Sequence, residues 1–360
     1  MSEHMPQNIV VSRPEGLTVA WAQRIVGQHE KGTVVTQVEI VSVDVGTTTR
    51  IRLALDYKGA SALPRRWFVK LPSLAWRARF ITALPQLLAT EIRFYQELAD
   101  SVPIALPVCL AAQSHWGLGS ILVLADVEEN GSLAGDADDI LSIGQAELVI
   151  DGLARFHARF WRQDASARRY RWLAGRVRRV EDHLGTVLAV PLMKQGLRNA
   201  GDFFPARLYK RALHYARNRR RAMRFLTAAP QTLVHHDCHP GNLFWQHGQA
   251  GLLDWQMARI GEGVSDVAYF LATALEPEQR RRHETGLLRR YAGQLAQQGV
   301  TEIDGGQLAE RYRAHLVYAF EAMVVTLAVG DMMATESNLE LIRRTAMAVD
   351  DLDAFSALPI

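Results

Sequence analysis

Two cysteines, Cys109 and Cys238, are all that the 360 residues contain, so neither a disulfide framework nor a four-cysteine zinc site can be built. Long apolar runs are also missing. No stretch reaches the roughly 18 to 20 uninterrupted apolar residues of a membrane-spanning helix, and Met1 to Gly16 lacks the basic start and apolar middle of a signal peptide. These absences predict a chain without a membrane span, in a reducing, cytoplasmic setting. No internal repeat and no low-complexity tract is present. With 48% hydrophobic and 22% charged residues, the chain can bury a sizeable core, as one large two-lobed domain or two smaller ones.

The net charge of +3 is small but unevenly spread. Residues 165 to 224 hold 16 Lys and Arg against three acids, Glu181, Asp182 and Asp202. Apolar residues recur through the same span, at Leu208, Leu213, Tyr215 and Phe225, which predicts folded helix and not a disordered basic tail. A solvated, arginine-rich helical surface is the expected reading. Nucleic acid or an acidic partner is the competing one.

The first third reads as strands. "VVTQVEIVSVDVGTTTRIRLALDY" holds two β-rich runs, and "RRWFVKLP" a third that ends at Pro72. "LPQLLATEIRFYQELADS" then spaces Leu84, Leu88, Glu91, Tyr95 and Leu98 by threes and fours, a helix stripe with an acid among apolar residues that needs a partner. "SILVLADV" has strand length and is followed by the polar break "EENGSLAGDADD". The expected boundary lies there, with residues 1–125 as an N-terminal lobe and 126–360 as a helical one. The stripe Val149, Leu153, Phe156 and Phe160 opens the helical part. His157 is expected as a packed, hydrogen-bonded histidine, and Tyr318 and Met323 as core.

The helical pattern is interrupted at "LVHHDCHPGNLFWQHGQAGLLDWQ", residues 233–256. Residues 243–254 read as two short strands joined by a turn around Gly248. Asn242 and Asp254 lie six residues on either side of that glycine, so a symmetric hairpin would set their oxygens opposite each other. Two hard oxygen ligands suit Mg²⁺, which takes few protein groups and completes its shell with water and phosphate. Asp237 lies on the loop leading into the hairpin, near such a cation without binding it. Zinc is the competitor for the His-His-Asp-Cys-His cluster. Adjacent side chains on an extended loop diverge, however, and no second cluster with metal spacing accompanies it.

The pattern H-x-D-x-x-x-x-N, a hairpin and an aspartate is the arrangement of a kinase catalytic loop and its metal aspartate. "HHDCHPGNLFW" and "LLDWQ" resemble the corresponding motifs of the aminoglycoside phosphotransferase and choline kinase superfamily. "EIRFYQEL" and "ARFHARFW" look closest to its choline-kinase-like and ecdysteroid-kinase-like branch. The resemblance spans about residues 30 to 290. It implies an α+β, protein-kinase-like bilobal fold: an antiparallel-sheet N-terminal lobe and a mainly helical C-terminal lobe, with ATP between them near Leu124 to Val127. It implies that Asp237 is the catalytic base, His235 the structural histidine opening the loop, and Asn242 and Asp254 the ligands of Mg²⁺. Lys70 would meet the nucleotide phosphates with Glu91 as its helix partner. Gly46, Thr47, Thr48 and Thr49 would form the phosphate-covering hairpin, threonine amides and hydroxyls replacing the usual glycines. His236 departs from the family pattern. Asp266 is read equally as a brace of the loop or as an ordinary helix N-cap.

The expected activity is transfer of the γ-phosphate of ATP to a hydroxyl of a small molecule, by preference a neutral or apolar hydroxylated metabolite. The alternatives are an aminoglycoside or other antibiotic as acceptor, and a nucleotide-binding scaffold without transfer. Nucleic acid is not the expected partner, and the oligomeric state is open.

Overall fold

A computed structural model describes residues 8–59, 61–74, 87–115, 119–163, 167, 169–330 and 332–360. The chain divides into two compact units, one of residues 1–100 and 106–132 and one of residues 101–105 and 133–360. The first is an antiparallel sheet with helices, the second mostly helix, so the fold is α+β.

In the first unit, β1 (Val34–Val45), β2 (Thr48–Lys58), β3 (Arg66–Pro72), β4 (Cys109–His115) and β5 (Gly119–Ala125) form one sheet in the order β1-β2-β3-β5-β4. A helix, α1 (Val19–His29), precedes it, a departure from the strands expected throughout the first third. Its signals are nonetheless local. The Thr18 side chain accepts the N–H of Trp21 at 3.2 Å as an N-cap, and Trp21, Ala22, Ile25 and Val26 form its buried stripe. That stripe packs on Trp67, Val69 and Leu71, the alternate residues of β3, with the rings of Trp21 and Trp67 edge to face at 5.9 Å. The intervening residues of β3, Phe68 and Lys70, therefore project from the opposite face, where α2 (Leu87–Glu97) contacts β3, β4 and β5. Leu84, placed on that helix by its spacing, lies outside the described residues.

The second unit contains α3 (Ile143–Arg159), α4 (Arg176–Ala200), α5 (Leu208–Arg217), α6 (Arg219–Leu226), α7 (Val264–Ala274), α8 (Pro277–Gln297), α9 (Gly305–Val329) and α10 (Thr335–Asp351). Val149, Leu153 and Phe156 of α3 are fully buried, and α3 packs on α8. The helix α9 is long and apolar enough to cross a membrane by length and composition. More than half of its most apolar stretch is buried, and it packs on α4, α7 and α10 as a core helix. Two small antiparallel ladders interrupt the helices: β7 (Thr232–Val234) with β10 (Arg259–Gly261), and β6 (Leu133–Ala134), β8 (Leu243–Gln246) and β9 (Gln249–Leu252) in the order β6-β8-β9.

The basic span from 165 to 224 is folded helix wherever it is described as α4, α5 and α6, and several of its arginines are committed to partners. Arg207 pairs with Asp350, Arg211 with Asp353 and Arg219 with Glu321. Leu208, Leu213 and Tyr215 are buried as their spacing predicts, and Phe225 lies half-buried under the guanidinium of Arg311, 4.2 Å from its ring centre.

Candidate active site

Lys70 and Glu91 meet in the first unit. Lys70 Nζ donates to both carboxylate oxygens of Glu91, at 2.8 and 2.9 Å, and both side chains are almost wholly shielded from water. The stripe on α2 thus turns Glu91 toward Lys70 on that face of β3. Two charges taken out of water each carry a penalty of several kcal/mol, which close pairing with two hydrogen bonds offsets.

Val45 stands opposite Thr49, so Gly46, Thr47 and Thr48 make the turn from β1 into β2. The Gly46 N–H donates to the Thr48 carbonyl at 3.0 Å, and its carbonyl accepts from the Ser73 hydroxyl at 2.7 Å. The Thr49 hydroxyl accepts from the Leu74 N–H at 3.0 Å and donates to the Pro72 carbonyl at 3.4 Å. Gly46, Thr48 and Thr49 are buried and Thr47 is half-buried. The Gly46 backbone and the Thr49 hydroxyl are therefore engaged inside the unit.

In the second unit the chain leaves β7 through His235 and His236, and the buried carboxylate of Asp266 on α7 collects both of their N–H groups, at 2.7 and 2.8 Å. His157 on α3 reaches the same carboxylate at 3.2 Å through Nε2 while its Nδ1 meets the Tyr291 hydroxyl at 2.8 Å. His157 is thus the packed, hydrogen-bonded residue its setting predicts. Asp266 is the brace and not the cap: it is the third residue of α7, whose N-cap is Gly263 with no side-chain capping bond.

The His235 ring is tied at both nitrogens. Nδ1 accepts from the Asp237 N–H at 3.3 Å, so Nε2 carries the proton and donates to the Leu253 carbonyl at 2.8 Å. The loop thereby clamps to the far end of the hairpin. Asp237 has both oxygens anchored: Oδ1 accepts from the Tyr269 hydroxyl at 2.7 Å and Oδ2 from Asn242 Nδ2 at 3.1 Å. Asn242 Nδ2 also donates to the Asp237 carbonyl at 2.8 Å. Tyr269 escaped the sequence reading, yet it lies three residues beyond Asp266, on the same helix face. Burial, then the Asp237 charge, pushes its hydroxyl well above the usual tyrosine range, so it stays a donor.

The hairpin is shorter than its glycine suggested. Gln246 pairs with Gln249 and Leu243 with Leu252, so the turn is His247-Gly248 and Asn242 stands opposite Leu253, whose N–H it accepts at 2.8 Å. Asp254 is offset by one residue from the symmetric position expected of it. It takes a left-handed conformation, φ 58°, which breaks the strand's alternation there. The donor set still fits a magnesium ion. With Nδ2 of Asn242 bound to Asp237, Oδ1 remains as a neutral hard ligand, and Asp254 supplies a carboxylate in the same segment. Among the described residues no three His, Cys, Asp or Glu side chains are grouped to hold a metal, so the loop histidines and Cys238 do not make a zinc cage. Burial pushes the Cys238 thiol well above its usual range, which keeps it protonated and poorly nucleophilic.

His236 has φ 72°, and its ring stacks on Tyr318 with centres 4.1 Å apart. Tyr318 was expected as core. It is half-buried instead and lines a cavity with His236, because the stacked pair sits at the edge of the packed helices.

Comparison with known proteins gives no match among curated sequences. Among solved structures, an aminoglycoside 2'-phosphotransferase-IIIa determined as its GDP complex aligns with a TM-score of 0.53 and 13% identity, covering 91% of this chain and 98% of that one. An ethanolamine kinase from Plasmodium vivax aligns with a TM-score of 0.51 and 11% identity, covering 96% and 90%. At such identities the likeness concerns the fold. The phosphotransferase enzyme family has a sequence model that matches residues 58–306, a stretch that includes Lys70, Glu91 and the whole loop and hairpin from His235 to Asp254, and the chain belongs to that family.

Proposed function

We propose that the protein transfers the γ-phosphoryl group of ATP to a hydroxyl of a small molecule, with Mg²⁺ as the required ion. The observation that carries this reading is the Asp237 carboxylate, held at one oxygen by Tyr269 and at the other by Asn242. An ionised carboxylate offers about four lone-pair sites, so two anchoring bonds leave it able to accept a hydrogen bond from an acceptor hydroxyl.

In the step proposed, the acceptor oxygen attacks the γ-phosphorus and its proton passes to Asp237. The bond from the γ-phosphorus to the bridging oxygen breaks, and ADP leaves with that oxygen. Phosphoryl transfer asks the protein chiefly to orient the nucleophile and offset charge on the phosphates. Lys70, steadied by Glu91, would pair with phosphate oxygens, and His235 would hold the loop against the hairpin. Asn242 Oδ1 and Asp254 would hold Mg²⁺, which when bound offsets the charge of the β- and γ-phosphates. The test is transfer of label from γ-labelled Mg-ATP, and separately Mg-GTP, to a panel of hydroxylated small molecules, with Asp237→Ala beside the wild type. Transfer by the variant at the wild-type rate would remove the assigned base.

A further inference from the structure

Beside the loop, within the second unit, lies a cavity of about 360 Å³. Its mouth carries Arg179 of α4 and Arg220 and Arg224 of α6, all solvent-exposed and, among the described residues, without a carboxylate partner. Two carboxylates line the cavity as well, Asp182 and Glu262, but each is paired with a cation, Asp182 with Arg259 and Glu262 with Arg311 and His315, and Glu321 outside the lining is paired with Arg219. Two further polar atoms on cavity-lining residues, His236 Nδ1 and Ser265 Oγ, are buried with no hydrogen-bond partner. The His236 ring can be assigned a tautomer. Arginine has no acceptor, so the contact of Arg259 Nη1 with His236 Nε2, at 3.4 Å, makes Nε2 the acceptor and puts the proton of the neutral ring on Nδ1. Burial, then the charge of Arg259, pushes the imidazole well below its usual range, consistent with that neutral ring. The groups lacking a partner can therefore all donate: three guanidiniums and an imidazole N–H, which only donate, and a hydroxyl, which can also accept.

The cavity adjoins the proposed base. His236 precedes Asp237, and Tyr318, which lines the cavity, lies 6.0 Å ring to ring from Tyr269, the residue that holds Asp237. We propose that this cavity binds the anionic group, a carboxylate or a phosphate monoester, of the small molecule whose hydroxyl is phosphorylated. The guanidiniums pair with its charge, and His236 and Ser265 donate to its oxygens. A polycationic or quaternary-ammonium acceptor would meet like charge there, and a neutral or apolar one, as the sequence suggested, would leave the donors unanswered. The inference rests on the kinase reading above and names its acceptor class.

The test uses matched compounds: glycerate and 3-hydroxybutyrate beside their methyl esters, glycerol 3-phosphate beside glycerol, and ethanolamine as the cation. Binding is measured by calorimetry without nucleotide, on the wild type and on the Arg220→Ala/Arg224→Ala double variant, whose unfolding midpoint is checked alongside. Transfer from labelled Mg-ATP is measured in parallel. The expected result is that at least one anion binds about tenfold or more tighter than its neutral counterpart, that label goes to that anion, and that the double variant loses the preference. Equal or better binding of the neutral or cationic compounds by the wild type overturns the inference. So does an anion preference that survives the double substitution. Failure of the kinase reading would register separately, as no label passing from Mg-ATP to any compound, while the binding arm still reports on the cavity.

Discussion

Asp266 accepts the backbone N–H groups of two successive residues, His235 and His236, with one carboxylate. Two amides captured by one side chain fix the direction in which the loop leaves β7, and so the position of Asp237 one residue later. Asp266→Asn keeps the size but replaces an oxygen with a donor that faces an N–H, leaving at least one buried group unsatisfied. The expected cost is about 1–3 kcal/mol of stability, with kcat lowered more than tenfold and KM for ATP little changed. Urea denaturation and steady-state kinetics on the one variant check both parts.

Asp237→Asn is the sharper probe of chemistry. It keeps the size of the side chain and an oxygen for Tyr269 or Asn242 but cannot take a proton. Loss of a general base costs on the order of 10² to 10⁴ in rate. The expected outcome is a fall of that size in kcat, with nucleotide affinity, read by fluorescence titration, within a few-fold of wild type. A variant that keeps its rate would leave the carboxylate without a role in the transfer.

Much of this arrangement is legible in the sequence, for physical reasons that can be named. Glu91 sits on a helix stripe of otherwise apolar residues and Lys70 between Val69 and Leu71, so each charge stands out as one that must be partnered. The loop from His235 to Asn242 is legible because its polar residues are compressed into eight positions. What failed was register. The hairpin was centred on Gly248 because glycine marks turns, but in a two-residue turn His247 shares the left-handed backbone, φ 50° beside 75° for the glycine. A slip of half a residue in the centre moves the partner of Asn242 from Asp254 to Leu253. Tyr269 and Tyr318 were missed for another reason: their contacts span 32 and 82 residues of chain, and nothing local distinguishes them from core aromatics.

The ion pair in the first unit makes a prediction about stability as well as activity. Glu91→Ala leaves the Lys70 ammonium buried without its carboxylate, and breaking a buried pair costs about 3–5 kcal/mol. Replacing both partners with apolar residues of similar volume, Lys70→Met with Glu91→Leu, removes both desolvation penalties. The double variant should therefore be more stable than Glu91→Ala in thermal and urea unfolding, while phosphoryl transfer is lost in both. A double variant less stable than the single one would mean that Lys70 finds other compensation when Glu91 is gone.

Acid sensitivity should concentrate at Glu262, which is almost fully shielded and bonds to Arg311 and His315. Burial alone would raise its pKa. The hydrogen bonds from His315 and Arg311 outweigh burial and hold the folded-state value below the ordinary 4.5. Because the folded carboxyl binds its proton less readily than the unfolded one, its contribution is fully present above pH 4.5 and is lost as pH falls through the lower folded value. Glu262→Gln removes the charge at every pH. The variant should thus be less stable than wild type by about 3–5 kcal/mol at pH 7, with the gap shrinking as pH is lowered below 4.5. Urea midpoints at pH 7, 5 and 3.5 measure that gap directly, and a gap of constant size down to pH 3.5 would place the acid-sensitive contact elsewhere.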